Sequence, residues 1–104
     1  MIDLRLGSYL ETLDVEVDTT ITDPPYGSKT HDGHAARTRT DIRNGRKMPA
    51  PLEYDGWSDK DVIEFVNFMA PRTRGWLVAM TSHDLFPTYA AALERNDRYV
   101  FAPI

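Results

Sequence analysis

Two consecutive prolines limit what the first third of this chain can fold into. Residues 15–21 alternate β-branched side chains with mostly polar ones, a pattern that predicts a β-strand. Pro24 and Pro25 come almost directly after it, and neither has an N–H to donate to a sheet ladder. The strand must therefore stop, and we expect its last residues to project from the carboxyl end: Asp23, Pro24, Pro25 and Tyr26.

Strand and helix patterns alternate along the chain. The predicted strands are residues 2–6, 15–21, 75–80 and 98–102, and the predicted helices run from Ser8 through Leu13, over 58–70, and from about Leu85 with Pro87 in the first turn. This order predicts an α/β fold, an open and mostly parallel sheet with helices on both faces. The continuous apolar run at 75–80 indicates a strand covered on both sides.

Composition fits one domain and excludes several classes. The chain has 104 residues, 41% hydrophobic and 27% charged, without cysteine, so it is neither disordered, collagen-like nor disulfide-stapled. No apolar run approaches a spanning helix, and the first residues, Met1 to Arg5, lack the pattern of a secretory signal. We therefore expect a cytoplasmic protein without a membrane partner.

The net charge of -4 hides a basic segment. Residues 29–47 carry +4 and the remainder -8, with the basic side chains at Lys29, Arg37, Arg39, Arg43, Arg46 and Lys47. These residues fall in a predicted loop over residues 28–56, far longer than most connections in a compact domain. A disordered insertion and a solvated charged loop are the alternatives to a phosphate-binding one.

The proline turn suits a planar molecule that carries an amino group. Tyr26 offers a ring for stacking, and the Asp23 carboxylate and the Pro24 carbonyl offer two acceptors for the amino hydrogens. Such acceptors also localise the nitrogen lone pair, which a nucleobase otherwise delocalises into its ring. Ligands of open α/β sheets bind at this carboxyl edge, where Thr81 to Asp84 are also expected.

The segment Thr22-Asp23-Pro24-Pro25-Tyr26-Gly27, preceded by Val17 to Ile21, resembles the catalytic motif of DNA amino-methyltransferases. The helix that commonly precedes that motif is similar to Leu6-Gly7-Ser8-Tyr9-Leu10-Glu11-Thr12-Leu13, with Ser8 where the family usually has Asp, and the following core strand resembles residues 75–82. The likeness covers nearly the whole chain apart from the basic loop.

This resemblance implies a Rossmann-like enzyme that transfers a methyl group from S-adenosylmethionine to an exocyclic amine of double-stranded DNA, as in restriction-modification. Aspartate at position 23 is typical of adenine N6 enzymes. Asp23, Pro24, Pro25 and Tyr26 would then form the catalytic turn, and the six basic residues of the loop would contact DNA after the target base is flipped out. Cytosine N4 methylation and a non-catalytic DNA-binding module are the alternatives.

The donor-binding motif of that family is missing from the sequence. It contains Gly-x-Gly, whereas no two glycines here are two positions apart. We therefore assign no residue to the donor. We expect an incomplete catalytic domain over residues 1–104, an amino-terminal fragment that a carboxyl-terminal half or partner chain completes.

Other constellations carry weaker signals. Ser82-His83-Asp84 contains the residue types of a hydrolytic triad, but adjacent residues cannot form the relay, and Ser82 or Asp84 is expected to cap the next helix. His31-Asp32-Gly33-His34 lacks a second ligand cluster, so no metal is expected. Trp57 and Trp76 are predicted packing residues, with base stacking by Tyr54 and Trp57 as the alternative.

Overall fold

The computed structural model describes residues 2–27 and 56–101, which form a small α/β domain. Its elements, in chain order, are α1 (Tyr9–Thr12), β1 (Thr20–Thr22), α2 (Asp59–Met69), a 3-10 turn (Ala70–Arg72), β2 (Leu77–Ala79) and α3 (Phe86–Arg95). No helix in this part of the chain has the length and apolar character that crossing a membrane requires.

The two strands are parallel, as the sequence predicts. Thr20 pairs with Leu77, Ile21 with Val78 and Thr22 with Ala79. An isolated bridge between Val17 and Thr73 lies before the paired residues of both strands, and a separate bridge joins Gly27 to Trp57, just before α2. Because α2 lies between the two parallel strands in sequence and belongs to the core on which β2 packs, the arrangement is a βαβ unit whose strands end at one edge.

The long helix α2 begins at a capping box. The Ser58 hydroxyl accepts from the backbone N–H of Asp61, and the Asp61 carboxylate accepts from the backbone N–H of Ser58 at 2.8 Å. This satisfies two backbone groups that a helix end otherwise leaves unpaired. The prediction of a helix over 58–70 with its apolar stripe facing the core is confirmed, since that stripe is buried: Val62, Phe65, Val66 and Met69.

One hydrophobic core joins the three helices to one face of the sheet. Leu85, Tyr89 and Ala92 complete it from α3 and the turn before it. The ring of Tyr9 from α1 packs edge-on against Phe65 and Phe68, with centroids 5.5 and 5.4 Å apart. Leu77 and Ala79 pack on this core from β2. Helices α2 and α3 are therefore on the same face of the sheet.

The opposite sheet face differs from the prediction. Trp76 is 61% exposed, Val78 44% and Met80 52%, so the strand at 75–80 is covered on one face and not on both. Ile21 of β1 is exposed on the same face. Within the described ranges the helices cover only the other side, and the packing role predicted for Trp76 is limited to a contact with the Phe101 ring at 5.2 Å.

Two predicted strands are absent from the described structure. Residues 2–6 form no strand, with Leu4 and Leu6 exposed, because no described strand pairs with them. Residues 98–101 likewise form no strand. The Arg98 guanidinium holds this segment instead, donating to the backbone carbonyls of Ala70, Thr73 and Gly75. Alternating apolar residues produce a strand only where a neighbour supplies backbone partners.

Candidate functional site

The proline turn begins where β1 ends. The backbone N–H of Met80 donates to the carbonyl of Thr22 at 3.0 Å, one residue before Asp23. This bond places the residues after β1 and those after β2 at the same edge of the sheet. The structure thus brings together the two segments that the sequence assigns to this edge, residues 23–26 and 81–84.

A cleft of about 300 Å³ lies at this turn and is lined by Asp23, Pro24, Pro25 and Tyr26. Pro24 is buried, Pro25 and Tyr26 are half-buried and Asp23 is exposed. The rigid proline therefore anchors the turn while the carboxylate faces solvent.

The acceptors of the turn are available to a ligand. No described Lys or Arg forms an ion pair with Asp23, although Arg5 and Arg74 each pair with two other carboxylates. No described residue donates a hydrogen bond to the carbonyl of Pro24, and Pro25 has no N–H of its own. Because both groups are pure acceptors, the site favours a molecule that donates hydrogen bonds, such as an amine.

One peptide unit of the turn is held from both sides. The carbonyl of Tyr26 accepts from the backbone N–H of Trp57 at 3.0 Å. The N–H of Gly27, in the same peptide unit, donates to the hydroxyl of Ser82 at 3.0 Å. Trp57 therefore has a backbone role at the site in addition to its ring contact with Phe65 at 5.5 Å.

The side chain of Asp84 closely approaches Gly27. A Cβ atom at position 27 would lie 1.8 Å from Oδ2 of Asp84 and 2.5 Å from its Cγ. The side-chain carboxylate thus occupies the space that any other residue at position 27 would fill. Gly27 itself is buried.

The predicted helix-capping role of Ser82 and Asp84 is wrong. The residue that caps α3 is Leu85, with no side-chain hydrogen bond, and the Ser82 hydroxyl is turned to Gly27. A serine just after a strand matches a capping pattern as well as it matches a turn contact. Only the position of Gly27 in space distinguishes a capping serine from one that contacts the turn, and Gly27 is 55 positions away in the sequence.

A wider cavity of about 610 Å³ lies at the other end of the strands, near Arg74, Arg95 and Arg98. Two of these three arginines bond to other groups of the chain. Arg98 donates to backbone carbonyls, and Arg74 pairs with Asp18 at 2.9 Å and with Glu16 at 3.7 Å. The acceptor groups of the proline turn make the smaller cleft the better candidate for chemistry.

Several predicted functional residues lie outside the described part of the chain. They are the six basic residues of the loop (Lys29, Arg37, Arg39, Arg43, Arg46 and Lys47), the His31 to His34 segment and Tyr54. Among the described residues, no group of three His, Cys, Asp or Glu is placed to hold a metal ion. The described residues also form no glycine turn suited to S-adenosylmethionine, so the residues present do not fit the donor.

Comparison with models of protein families, with curated proteins and with solved structures found no match to this chain. The functional assignment therefore depends on the residues and geometry of the turn.

Proposed function

We propose that this chain provides the base-binding turn of an S-adenosylmethionine-dependent DNA methyltransferase that acts on the N6 amine of adenine. The observation that supports it is the cleft itself, where a carboxylate, a carbonyl and an aromatic residue come from four consecutive positions. The turn is held in place by a hydrogen bond that the Trp57 backbone N–H donates and by one that the Ser82 hydroxyl accepts. Its sequence is also the part of the chain that resembles this class of enzyme.

In this proposal, the two hydrogens of the amine are donated to the Asp23 carboxylate and the Pro24 carbonyl. Both acceptors draw electron density toward the nitrogen and make its lone pair more available. Tyr26 stacks on the ring and offsets part of the few kcal/mol that flipping a base out of a duplex costs. Because the described residues do not fit the methyl donor, the chemistry assigned to this chain is recognition and polarisation of the amine.

Double-stranded DNA is the proposed partner and the cytoplasm the proposed location. The predicted loop at residues 28–56, which contains the basic segment, follows the cleft residue Tyr26 and Gly27 directly in the sequence. Its charges would attract phosphate over about 8 Å at physiological salt, even on an acidic protein. A donor-binding chain or segment would complete the enzyme.

A second candidate is a base-binding module without transferase activity. The observation that favours it is the absence of a donor-binding turn among the described residues, which does not affect the cleft. Cytosine N4 methylation is the nearer alternative, since cytosine also presents an amine on a planar ring. The products and the binding preferences distinguish these three functions.

The proposal is tested by binding of single-stranded pentanucleotides to the labelled 104-residue chain, followed by NMR. We expect TTATT to shift the amide signals of residues 23–27 and TTTTT to leave them in place. Tyr26→Ala should weaken TTATT binding about tenfold or more, since stacking on one aromatic contributes about 1–3 kcal/mol. Tyr99→Ala, at a tyrosine that is 82% exposed, is the matched control.

Equal shifts with TTATT and TTTTT would contradict the proposal, and a preference for TTCTT would favour the cytosine alternative. Incubation of the chain with S-adenosylmethionine and duplex DNA, followed by nucleoside mass spectrometry, separates enzyme from module. N6-methyladenine identifies the enzyme. Adenine binding without any methylated base, both with the chain alone and in cell extract, identifies the module.

A further inference from the structure

We infer that Ser82 is a positioning residue for Tyr26, and that Asp84 closes the space beside Gly27 so that the turn keeps one conformation. The inference rests on the proposed function, because it assigns a role in base binding to two residues that do not line the cleft. Neither residue touches the base in this scheme. Both act through the peptide unit that joins Tyr26 to Gly27.

The first step concerns that peptide unit. A peptide is planar, so its carbonyl and its N–H rotate together. Here the carbonyl is bonded to Trp57 and the N–H to Ser82, each at 3.0 Å. Any rotation of the plane breaks at least one of these bonds. Since the plane sets the ψ angle of Tyr26, the two bonds together fix the direction in which its side chain leaves the backbone.

The second step concerns the rigidity of Ser82 itself. Its carbonyl accepts from the N–H groups of Leu85 and Phe86, at 3.2 and 3.1 Å, where α3 begins. Two residues earlier, Met80 is bonded to Thr22 of β1. The hydroxyl is therefore carried on a short link between a strand and a helix. An acceptor on such a link can hold the turn, whereas an acceptor on a long loop would move with it.

The third step concerns the other side of Gly27. The Asp84 carboxylate lies where a Cβ atom of residue 27 would be, so it fills the space beside the glycine. The turn is thus bonded to Trp57 through the carbonyl of Tyr26 and to Ser82 through the N–H of Gly27, and the Asp84 side chain fills the space beside the glycine. We expect this restriction to preorganise Tyr26, which reduces the conformational entropy lost when a base binds.

The test uses the complete 104-residue chain with Ser82→Ala, which removes the hydroxyl and leaves every residue of the cleft in place. Ser82→Thr retains a hydroxyl and tests rescue. Ser8→Ala is the matched control, because it removes a serine hydroxyl that accepts a backbone hydrogen bond at the start of α1 and not from the turn. The measurements are amide hydrogen exchange at Gly27, the thermal midpoint, and TTATT binding by NMR.

In Ser82→Ala we expect exchange of the Gly27 amide to rise about tenfold and TTATT binding to weaken about fivefold, as the loss of one hydrogen bond implies. Ser82→Thr should restore both. Ser8→Ala should lower the thermal midpoint and leave Gly27 exchange and TTATT binding unchanged, which separates positioning from stability.

Unchanged Gly27 exchange in Ser82→Ala would overturn the inference, whatever the chain binds. Unchanged TTATT binding in that variant, with binding by the wild-type chain, would overturn it as well. If the wild-type chain does not prefer TTATT over TTTTT, the proposed function fails. In that case, faster Gly27 exchange in Ser82→Ala still supports the hydrogen bond that holds the turn. Failure of the inference is therefore distinguishable from failure of the proposed function.

Discussion

The hydroxyl of Ser82 accepts a hydrogen bond from the backbone N–H of Gly27 at 3.0 Å, although 55 positions separate the two residues. The bond connects the segment after β2 to the end of the proline turn after β1. It exists because parallel strands that pair side by side end at the same edge. The local geometry of the cleft therefore depends on the correct pairing of β1 with β2.

Substitution of Gly27 should lower the free energy of unfolding, and the size of the loss should depend on the side chain at position 84. In Gly27→Ala the new methyl group meets the Asp84 carboxylate, and we expect a loss of about 1–3 kcal/mol in unfolding free energy, as for other overpacked sites. Asp84→Ala should relieve most of this loss in the double variant. Denaturant unfolding of the four proteins of this cycle measures the coupling.

Gly75→Ala is the control for that cycle. Its Cβ would lie 2.7 Å from the backbone carbonyl oxygen of Asp18, which cannot move aside as a side chain can. Asp84→Ala should give no relief there. Additive losses in the Gly27 and Asp84 cycle would contradict the contact.

Replacing Asp23 should affect base binding much more than stability. Asp23 is exposed and forms no ion pair within the described residues, so Asp23→Ala should change the unfolding free energy by less than about 0.5 kcal/mol. A hydrogen bond to a charged acceptor contributes about 1.5–3 kcal/mol, so TTATT binding should weaken by about tenfold or more. NMR titration measures the binding, with Asp3→Ala as control. Equal binding by Asp23→Ala and wild type would remove Asp23 from the site.

Two buried threonine hydroxyls should respond oppositely to replacement by valine. The Thr73 hydroxyl bonds to the carbonyl of Met69 at 2.9 Å and to the hydroxyl of Thr20 at 2.7 Å. The Thr81 hydroxyl is buried and has no hydrogen-bond partner among the residues that the structure describes. We expect Thr73→Val to lower the unfolding free energy by about 1–3 kcal/mol and Thr81→Val to raise it or leave it unchanged. Destabilisation by Thr81→Val, measured in denaturant, would show that its hydroxyl is bonded in solution.

The capping box of α2 should make stability depend on pH in the acid range. Hydrogen bonds from the backbone and hydroxyl of Ser58 lower the pKa of Asp61 below its ordinary 3.8. A lowered pKa in the folded state stabilises the fold above pH 3.8, and this contribution is lost as the pH falls through the lowered pKa. Asp61→Asn should therefore be less stable than wild type at pH 7, by about 0.5 kcal/mol for an exposed helix terminus. The difference should shrink below pH 3.8.

Thermal unfolding from pH 7 to pH 2 measures this difference. Glu94→Gln removes a carboxylate outside the box and is the control for a change in net charge. A constant difference between wild type and Asp61→Asn across that range would contradict the role of the ionised carboxylate.

Two methionines test which side of the sheet is covered, because Met69 lies in the core and Met80 on the exposed sheet face. Met69 is 4% exposed and Met80 52%. Met69→Ala should cost about 2–5 kcal/mol in unfolding free energy, and Met80→Ala clearly less. Similar losses would indicate that the exposed sheet face is covered in solution.

Much of the fold was predictable from residues close in sequence. Ser58 and Asp61 predict the start of α2, and the spacing of Val62, Phe65 and Met69 predicts its buried face, because both depend on helical geometry over a few positions. The end of β1 was equally predictable, since proline lacks an N–H wherever it stands. The four residues of the cleft were predicted as one group for the same reason.

The incorrect predictions concern groups whose partners are distant. Residues 2–6 have the pattern of a strand, but no described neighbour pairs with them. Residues 98–101 are held by the bonds of Arg98 to three carbonyls and not by a ladder. The apolar run that contains Trp76 matches a strand covered on both faces, yet only one face is packed. Periodicity describes a side-chain pattern and carries no information on what lies opposite it.

By itself, the sequence determined where α2 begins, where β1 must stop, and which side chains follow it at the carboxyl edge. These outcomes depend on hydrogen-bonding groups and ring constraints within a few residues of one another. The tertiary structure alone decided that Ser82 and Trp57 hold opposite ends of one peptide unit, and that Asp84 lies against Gly27. Such contacts join segments far apart in the chain, so they form only once the strands have paired and the core has packed.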